Sequence, residues 1–257
     1  MTDPVAAIPE AGATGAVAAL FADIRAVTGV GVVNLIWRHL ATIPGGLEWA
    51  WGAVRPRYAD GAVADAADRL RAGLVVPELG RLALPDPATG RILAAYDRTN
   101  GRALVALSAL LARLDGVGAV PTATAVTRVE SALPLPPLPA LDDLAPETAA
   151  LVLRLNHIGA GRPDPILASM YRHLAYWPEF LAAIDAKLAP VAVRPLIEAA
   201  LVAARIEGAH FAPSLADMPA LPAASVSPVR AALTRFAEDA LARMVVICAA
   251  VRNAATS

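Results

Sequence analysis

Long apolar stretches run along this chain, and single arginines interrupt them. Arg25, Arg38, Arg102, Arg113, Arg154, Arg205 and Arg243 break these stretches before any reaches the roughly 20 residues that a bilayer span needs. No run alternates apolar and polar residues with the period of two that marks a half-buried strand. Alanine, leucine and arginine dominate instead, and these residues lose least on entering a helix. The pattern predicts an all-α chain with helices over about 13–27, 31–42, 45–55, 57–73, 87–97 and 101–114, and a second set over 146–158, 165–175, 178–188, 191–208 and 228–252. Three of the starts read as a polar N-cap followed by proline at the first helical position: Asp86-Pro87, Asp164-Pro165 and Ser227-Pro228.

Prolines 134, 136, 137 and 139 lie between the two sets. They favour an extended, semi-rigid connection over 121–146. The expected organisation is a first helical half over 1–120, this linker, and a second half over 147–257. A further irregular stretch is expected at 211–228, where a lid is conceivable.

The halves repeat each other. Residues 31–56 and 165–190 both contain the run RHLA, then two residues, then a proline, then a hydrophobic run that ends in proline. At an offset of 134, Arg38 meets Arg172, His39 meets His173, Pro44 meets Pro178 and Pro56 meets Pro190, while Trp37 faces Tyr171. A weaker echo relates 96–111 to 236–251 at an offset of 140. A duplicated helix–proline–helix unit, with the two halves related by a pseudo-twofold, accounts for both.

Composition narrows the classes of function. Lys and Arg number 22 against 23 Asp and Glu, a net charge of -1, and the two signs are interspersed. That is not the clustered positive surface that tracks phosphates, so no nucleic acid is expected as a partner. The one cysteine, Cys248, excludes an intrachain disulfide framework and reads as a small buried hydrophobe. The start of the sequence lacks a basic region leading into an apolar one, so no membrane partner and a cytoplasmic location are the expectation. Alanine-rich helical surfaces make a homodimer the expected assembly.

Candidate chemistry is sparse. The sequence contains no nucleophile elbow, no phosphate-binding loop, no zinc-protease helix and no C-x-x-C pair. The four histidines lack a carboxylate partner at ligand spacing, so neither a metal nor a cofactor is expected. Arg38-His39 and Arg172-His173 read either as anion-binding half-sites or as ties holding the duplicated packing. Asn34, Trp37 and Tyr171 read as walls of a small pocket or as core fillers. Asn100 reads as the N-cap that opens the helix at 101, or as a contact to a ligand or water.

The halves, the ATIPG and AYWPEF segments, the DIRAVTGVGVV lead-in, the turn from Tyr96 to Asn100 and the Arg235-Phe236 pair together resemble the DehI family of helical 2-haloacid dehalogenases. The resemblance covers about 15–252. It implies two all-helical halves, a proline-rich linker and a site between the halves for a small organic acid. It also implies a buried carboxylate that takes a proton from the water displacing halide, with helix N-terminal amides and polar groups holding the substrate carboxylate. This chain departs from the pattern at two places. Met170 stands seven residues before Trp177, where the proton acceptor belongs. Leu233 stands two residues before Arg235, where an aromatic hydroxyl belongs.

The polar positions Ser169 and Asn100 match. Asp164 is the one substitute base with any support, and it lies six residues from position 170, roughly 9 Å along a helix axis. Asp97 and Asp185 have no positional support. The expected pocket is therefore Asn34, Trp37, Asn100, Ser169, Met170, Tyr171, His173 and Leu233. It would bind a small organic acid without ordinary dehalogenase activity. An active hydrolase of a related substrate, or an interaction protein with a filled cavity, are the alternatives.

Overall fold

A computed structural model describes residues 5–120 and 135–256. The connection expected over 121–146 therefore falls outside the described residues up to 134. From there the chain is extended, passes a short 3-10 turn at Leu141–Asp143, and enters a helix at Pro146.

Helices α1 (Gly15–Thr28), α2 (Leu35–Leu40), α3 (Gly46–Ala59), α4 (Ala62–Ala72) and α5 (Pro87–Leu114) form the first set. The second set comprises α6 (Pro146–His157), α7 (Ser169–Leu174), α8 (Pro178–Leu188), α9 (Arg194–Phe211), α10 (Ala223–Arg235) and α11 (Ala242–Ala254), with a π-helical segment, Phe236–Leu241, joining the last two. Short 3-10 helices lie at Glu10–Gly12 and Ala212–Ser214, and a two-residue parallel bridge pairs β1 (Leu82–Ala83) with β2 (Ala255–Thr256). The fold is all-α. No helix among the described residues is long and apolar enough to cross a membrane.

The duplication is visible in the helices themselves. Under the shift of 134, α2 and α7 coincide residue for residue. The long α5 has as its counterpart the continuous stretch α10–π–α11. Helix α5, about 42 Å long at 1.5 Å per residue, is the central strut and packs against α4, α7, α9, α10 and α11. Its buried run from Ala103 to Leu110 is apolar apart from Ser108. The facing α11 is buried around most of its circumference, from Ala242 to Val251, as expected of a helix in the middle of a layered core. Cys248 is among its fully buried residues. Each large apolar side chain so enclosed contributes about 1.5–3 kcal/mol.

Several helix ends differ from the sequence reading, each for a local reason. Asp86 does cap α5, accepting the Ala88 N–H at 2.6 Å. Helix α5 then runs unbroken past Asn100, because nothing in the Tyr96–Asn100 stretch removes a backbone donor. Asp164-Pro165 does not open a helix. The chain stays extended to Ala168, because side chains remote in sequence capture its N–H groups. Ser227-Pro228 lies inside α10, which begins at Ala223, and Pro56 lies inside α3 without ending it. The irregular stretch shrinks accordingly to about 215–222.

Candidate functional site

Positions related by the repeat meet around one cavity. Asn34, Leu35 and Ile36 at the start of α2 face Ala168, Ser169 and Met170 at the start of α7, and Tyr96 and Asn100 on α5 face Phe236 and Ala240 on the π segment. The first three pairs differ by 134 and the last two by 140, so the cavity lies on the pseudo-twofold. Its volume is about 70 Å³. It adjoins a second space of about 210 Å³ that shares Asn34, Leu35, Tyr96 and Ser169 and extends to Glu10, Arg38, Leu135 and Leu138.

The wall at 165–168 is held from behind. Arg243, on α11 and 1% exposed, donates to the Asn156 backbone oxygen. Its other nitrogens reach the Ile166 carbonyl at 3.0 Å, Asn156 Oδ1 at 3.3 Å and the Asp239 carbonyl at 3.2 Å. Asp239 Oδ2 accepts the Ile166 N–H at 2.8 Å, and Asn156 Oδ1 accepts that of Ala168 at 3.0 Å. These bonds satisfy backbone groups that would otherwise be buried without a partner, and they fix where Ser169 and Met170 begin α7.

On the other side, Tyr96 joins the halves. Its hydroxyl lies 2.6 Å from His173 Nδ1, and His173 Nε2 lies 2.9 Å from the Pro136 carbonyl. A carbonyl only accepts, so Nε2 carries the imidazole proton and Nδ1 accepts from the phenol. Burial lowers the His173 pKa, and the neighbouring Arg172 guanidinium lowers it further against the Pro136 hydrogen bond. The ring is therefore neutral at pH 7. Burial raises the Tyr96 pKa and keeps its proton in place.

A pH dependence follows from the His173 shift. The unfolded chain takes up this proton near the ordinary imidazole value of about 6.5, the folded chain only at lower pH. The stabilisation by neutral His173 is complete above that value and is lost as pH falls below it, at no more than about 1.4 kcal/mol per pH unit. The melting temperature should fall between pH 7 and pH 5 with a slope that His173→Gln flattens. An unchanged slope in that variant would remove His173 as its source.

Of the residues expected to form the pocket, Asn34, Asn100, Ser169 and Met170 line this cavity. Met170 is 1% exposed and lies with its sulfur 3.1 Å from Cys248 Sγ, to which Asn100 Nδ2 also reaches at 3.5 Å. Asn100 is thus a mid-helix side chain and not an N-cap. Trp37 is packed edge-on against Trp51, at 5.4 Å between ring centres, and borders a space of about 20 Å³ beside Tyr58 and Arg102 that shares Val30, Val32, Asn34 and Thr99 with the second space. His173 stands behind Tyr96. Tyr171 and Leu233 are fully buried away from the cavity; Phe236, three residues after Leu233, supplies the aromatic wall.

Asp164 lies half exposed on the surface, paired with Arg235 at 3.1 Å. Asp97 is buried beside Arg252 at 3.0 Å and Arg71 at 3.7 Å, with its carboxyl pushed up by burial. Asp185 pairs with Arg154 at 2.8 Å. The cavity residues that the sequence reading missed, Phe236, Ala240, Leu241 and Met244, are apolar and read as ordinary core. The 140-residue echo was the available signal, since it carries Tyr96 onto Phe236 and Asn100 onto Ala240.

A duplicated all-helical chain with a cavity on its pseudo-twofold has the fold of the helical 2-haloacid dehalogenases, the DehI type. The particular likenesses are to solved structures of D-2-haloacid dehalogenase. A mutant in complex with D-2-CPA superimposes with a TM-score of 0.79 at 17% identity, over 98% of this chain and 96% of that one. The complex with L-LA gives 0.75 at 16% identity over the same shares, and a further mutant gives 0.76 at 17%. Neither a family model nor a curated protein matches the sequence. At this identity the likeness establishes the fold, so the chain is a divergent bearer of it.

Proposed function

We propose that this chain binds a small organic acid in the cavity between its repeats and does not hydrolyse 2-haloacids. The carrying observation is Met170, packed on Cys248 at the cavity wall. Displacement of halide by water needs a proton acceptor within hydrogen-bond reach of that water, and a thioether is not one. No Asp or Glu lines the cavity among the described residues. Glu10, on the adjoining space, accepts the Val33 N–H and pairs with Arg25, while Asp164 is engaged with Arg235, Asp97 with Arg252 and Asp239 with the Ile166 N–H.

Binding an anion there has separate support. The first-turn N–H groups of α2 and α7, at Leu35, Ile36, Ser169 and Met170, have no carbonyl partner within their own helices, and all four residues line the cavity. The likeness to proteins solved with small organic acids, D-2-CPA and L-LA, points the same way.

Purified protein is expected to release no chloride from D- or L-2-chloropropionate above the buffer rate. Protein-dependent release that Asn100→Ala abolishes would overturn the proposal.

A further inference from the structure

Resting on the reading that the cavity between the repeats takes a small organic acid, we propose that this acid is a dicarboxylate, with its second carboxylate on Arg38 in the adjoining space of about 210 Å³. The repeat supplies the first reason. Arg38 and Arg172 occupy equivalent places on α2 and α7, yet they are used differently. Arg172 turns Nε and Nη2 onto one carbonyl, that of Pro139, at 2.8 and 2.5 Å, and so ties α7 to the incoming chain. Arg38 commits only Nε, to the Val33 carbonyl at 3.1 Å, and its two terminal nitrogens meet no acceptor among the described residues. Of the duplicated arginines, one is a structural tie, and the other keeps a planar pair of donors that matches a carboxylate. Asn34, four residues before Arg38, lines both spaces and does not cap α2 with its side chain, so its amide borders their junction.

The charges around the two spaces leave Arg38 without a counter-ion. Among the described residues no charged side chain lines the smaller cavity, and the larger has Arg38 and Glu10. Both Glu10 oxygens are engaged, Oε1 with the Val33 N–H at 2.8 Å and Oε2 with Arg25 at 2.5 Å. Glu10 and Arg25 balance each other, and the guanidinium of Arg38 is the charge left over. Val30, Val32, Leu135 and Leu138 make the wall around it largely apolar, a surrounding in which an ion pair is stronger than in open water. A monocarboxylate long enough to reach this space would press an alkyl end on the guanidinium and displace its water without replacing the hydrogen bonds. A second carboxylate replaces them with charge-assisted ones, and a preference of about tenfold follows.

Calorimetric titration with succinate and glutarate, each against its monocarboxylate match, butyrate and pentanoate, tests this at about pH 7.5, where every carboxyl is ionised. At least one dicarboxylate is expected to bind about tenfold more tightly than its match, and added salt should weaken it more than the match. Arg38→Gln, with folding checked by circular dichroism, should bring the dicarboxylate down to the affinity of its match. Butyrate and pentanoate binding as tightly as succinate and glutarate overturns the second-anion site while leaving the organic-acid cavity standing. A preference that persists in Arg38→Gln overturns the assignment to Arg38. Binding of none of the four acids removes the cavity reading itself, and this proposal with it. If Arg38→Gln does not fold, the ligand and salt series on the unaltered protein still decide.

Discussion

Arg243→Met is expected to lower the stability of this protein by about 3–5 kcal/mol, read as a fall in the urea midpoint, because it breaks one partner out of a buried polar network. The guanidinium donates to the Asn156 and Ile166 carbonyls, and both lie where water does not replace it. Asp239, 5% exposed, keeps its bond to the Ile166 N–H but loses the nearest compensating charge. The methionine fills a similar volume, so the loss measures the polar groups and not a void. Arg243→Lys should fall between the two, since an ammonium keeps the charge but not the planar fork that spans several acceptors. A loss below about 1 kcal/mol in the methionine variant, the range of a single ordinary hydrogen bond, would show that the network has little energetic weight. The segment 165–168 would then need another explanation for staying extended.

Gly208→Ala is the second large effect, expected at about 3 kcal/mol. Gly208 lies on α9 where it crosses α5. A methyl there would sit 2.4 Å from Ser108 Cβ, 2.7 Å from the Ser108 carbonyl carbon and 2.8 Å from the Ala109 nitrogen. Two of these atoms belong to the backbone of the helix that most others pack on, so relief requires α9 to move away from α5 as a unit. Gly52 is the internal comparison. A methyl there meets the thioether end of Met218, also at 2.4 Å, but that side chain is flexible and can swing aside. Equal melting temperatures for Gly208→Ala and Gly52→Ala would contradict the distinction between a backbone obstacle and a side-chain one.

The duplication was legible because it rests on local events. Both repeats place a short helix, a turn and a longer helix at the same spacing, and Asp86 and Pro146 start helices where N-terminal chemistry says they should. Asn34, Asn100, Ser169 and Met170, which the resemblance and the repeat bring to notice in the sequence, line one cavity.

What escaped was set by distant partners. Asp164-Pro165 has the composition of a helix start, yet Asp239, some seventy residues on, takes the Ile166 N–H that a capping Asp164 would have taken. Asn100 looks like a cap because it follows a polar run, but a residue four positions from Tyr96 on a continuous helix shares its face, and both open onto the same cavity. Tyr171 reads in the sequence as a pocket wall or a core filler, and its neighbour Met170 lines the cavity. Successive residues on a helix point about 100° apart, and Tyr171 turns into the core. Leu233, two residues before Arg235 on the regular helix α10, is fully buried, and Phe236 at the start of the π segment stands at the cavity.

That segment also bears on handedness. A chamber lying on a true dyad would offer a one-handed guest two equivalent seats, and a mirror-image pair of guests could not be told apart by which end they occupied. Here the dyad survives in the backbone and is lost in the lining, with a phenol and an amide on one side and a benzyl ring and a methyl on the other. The two ends of the chamber are therefore inequivalent.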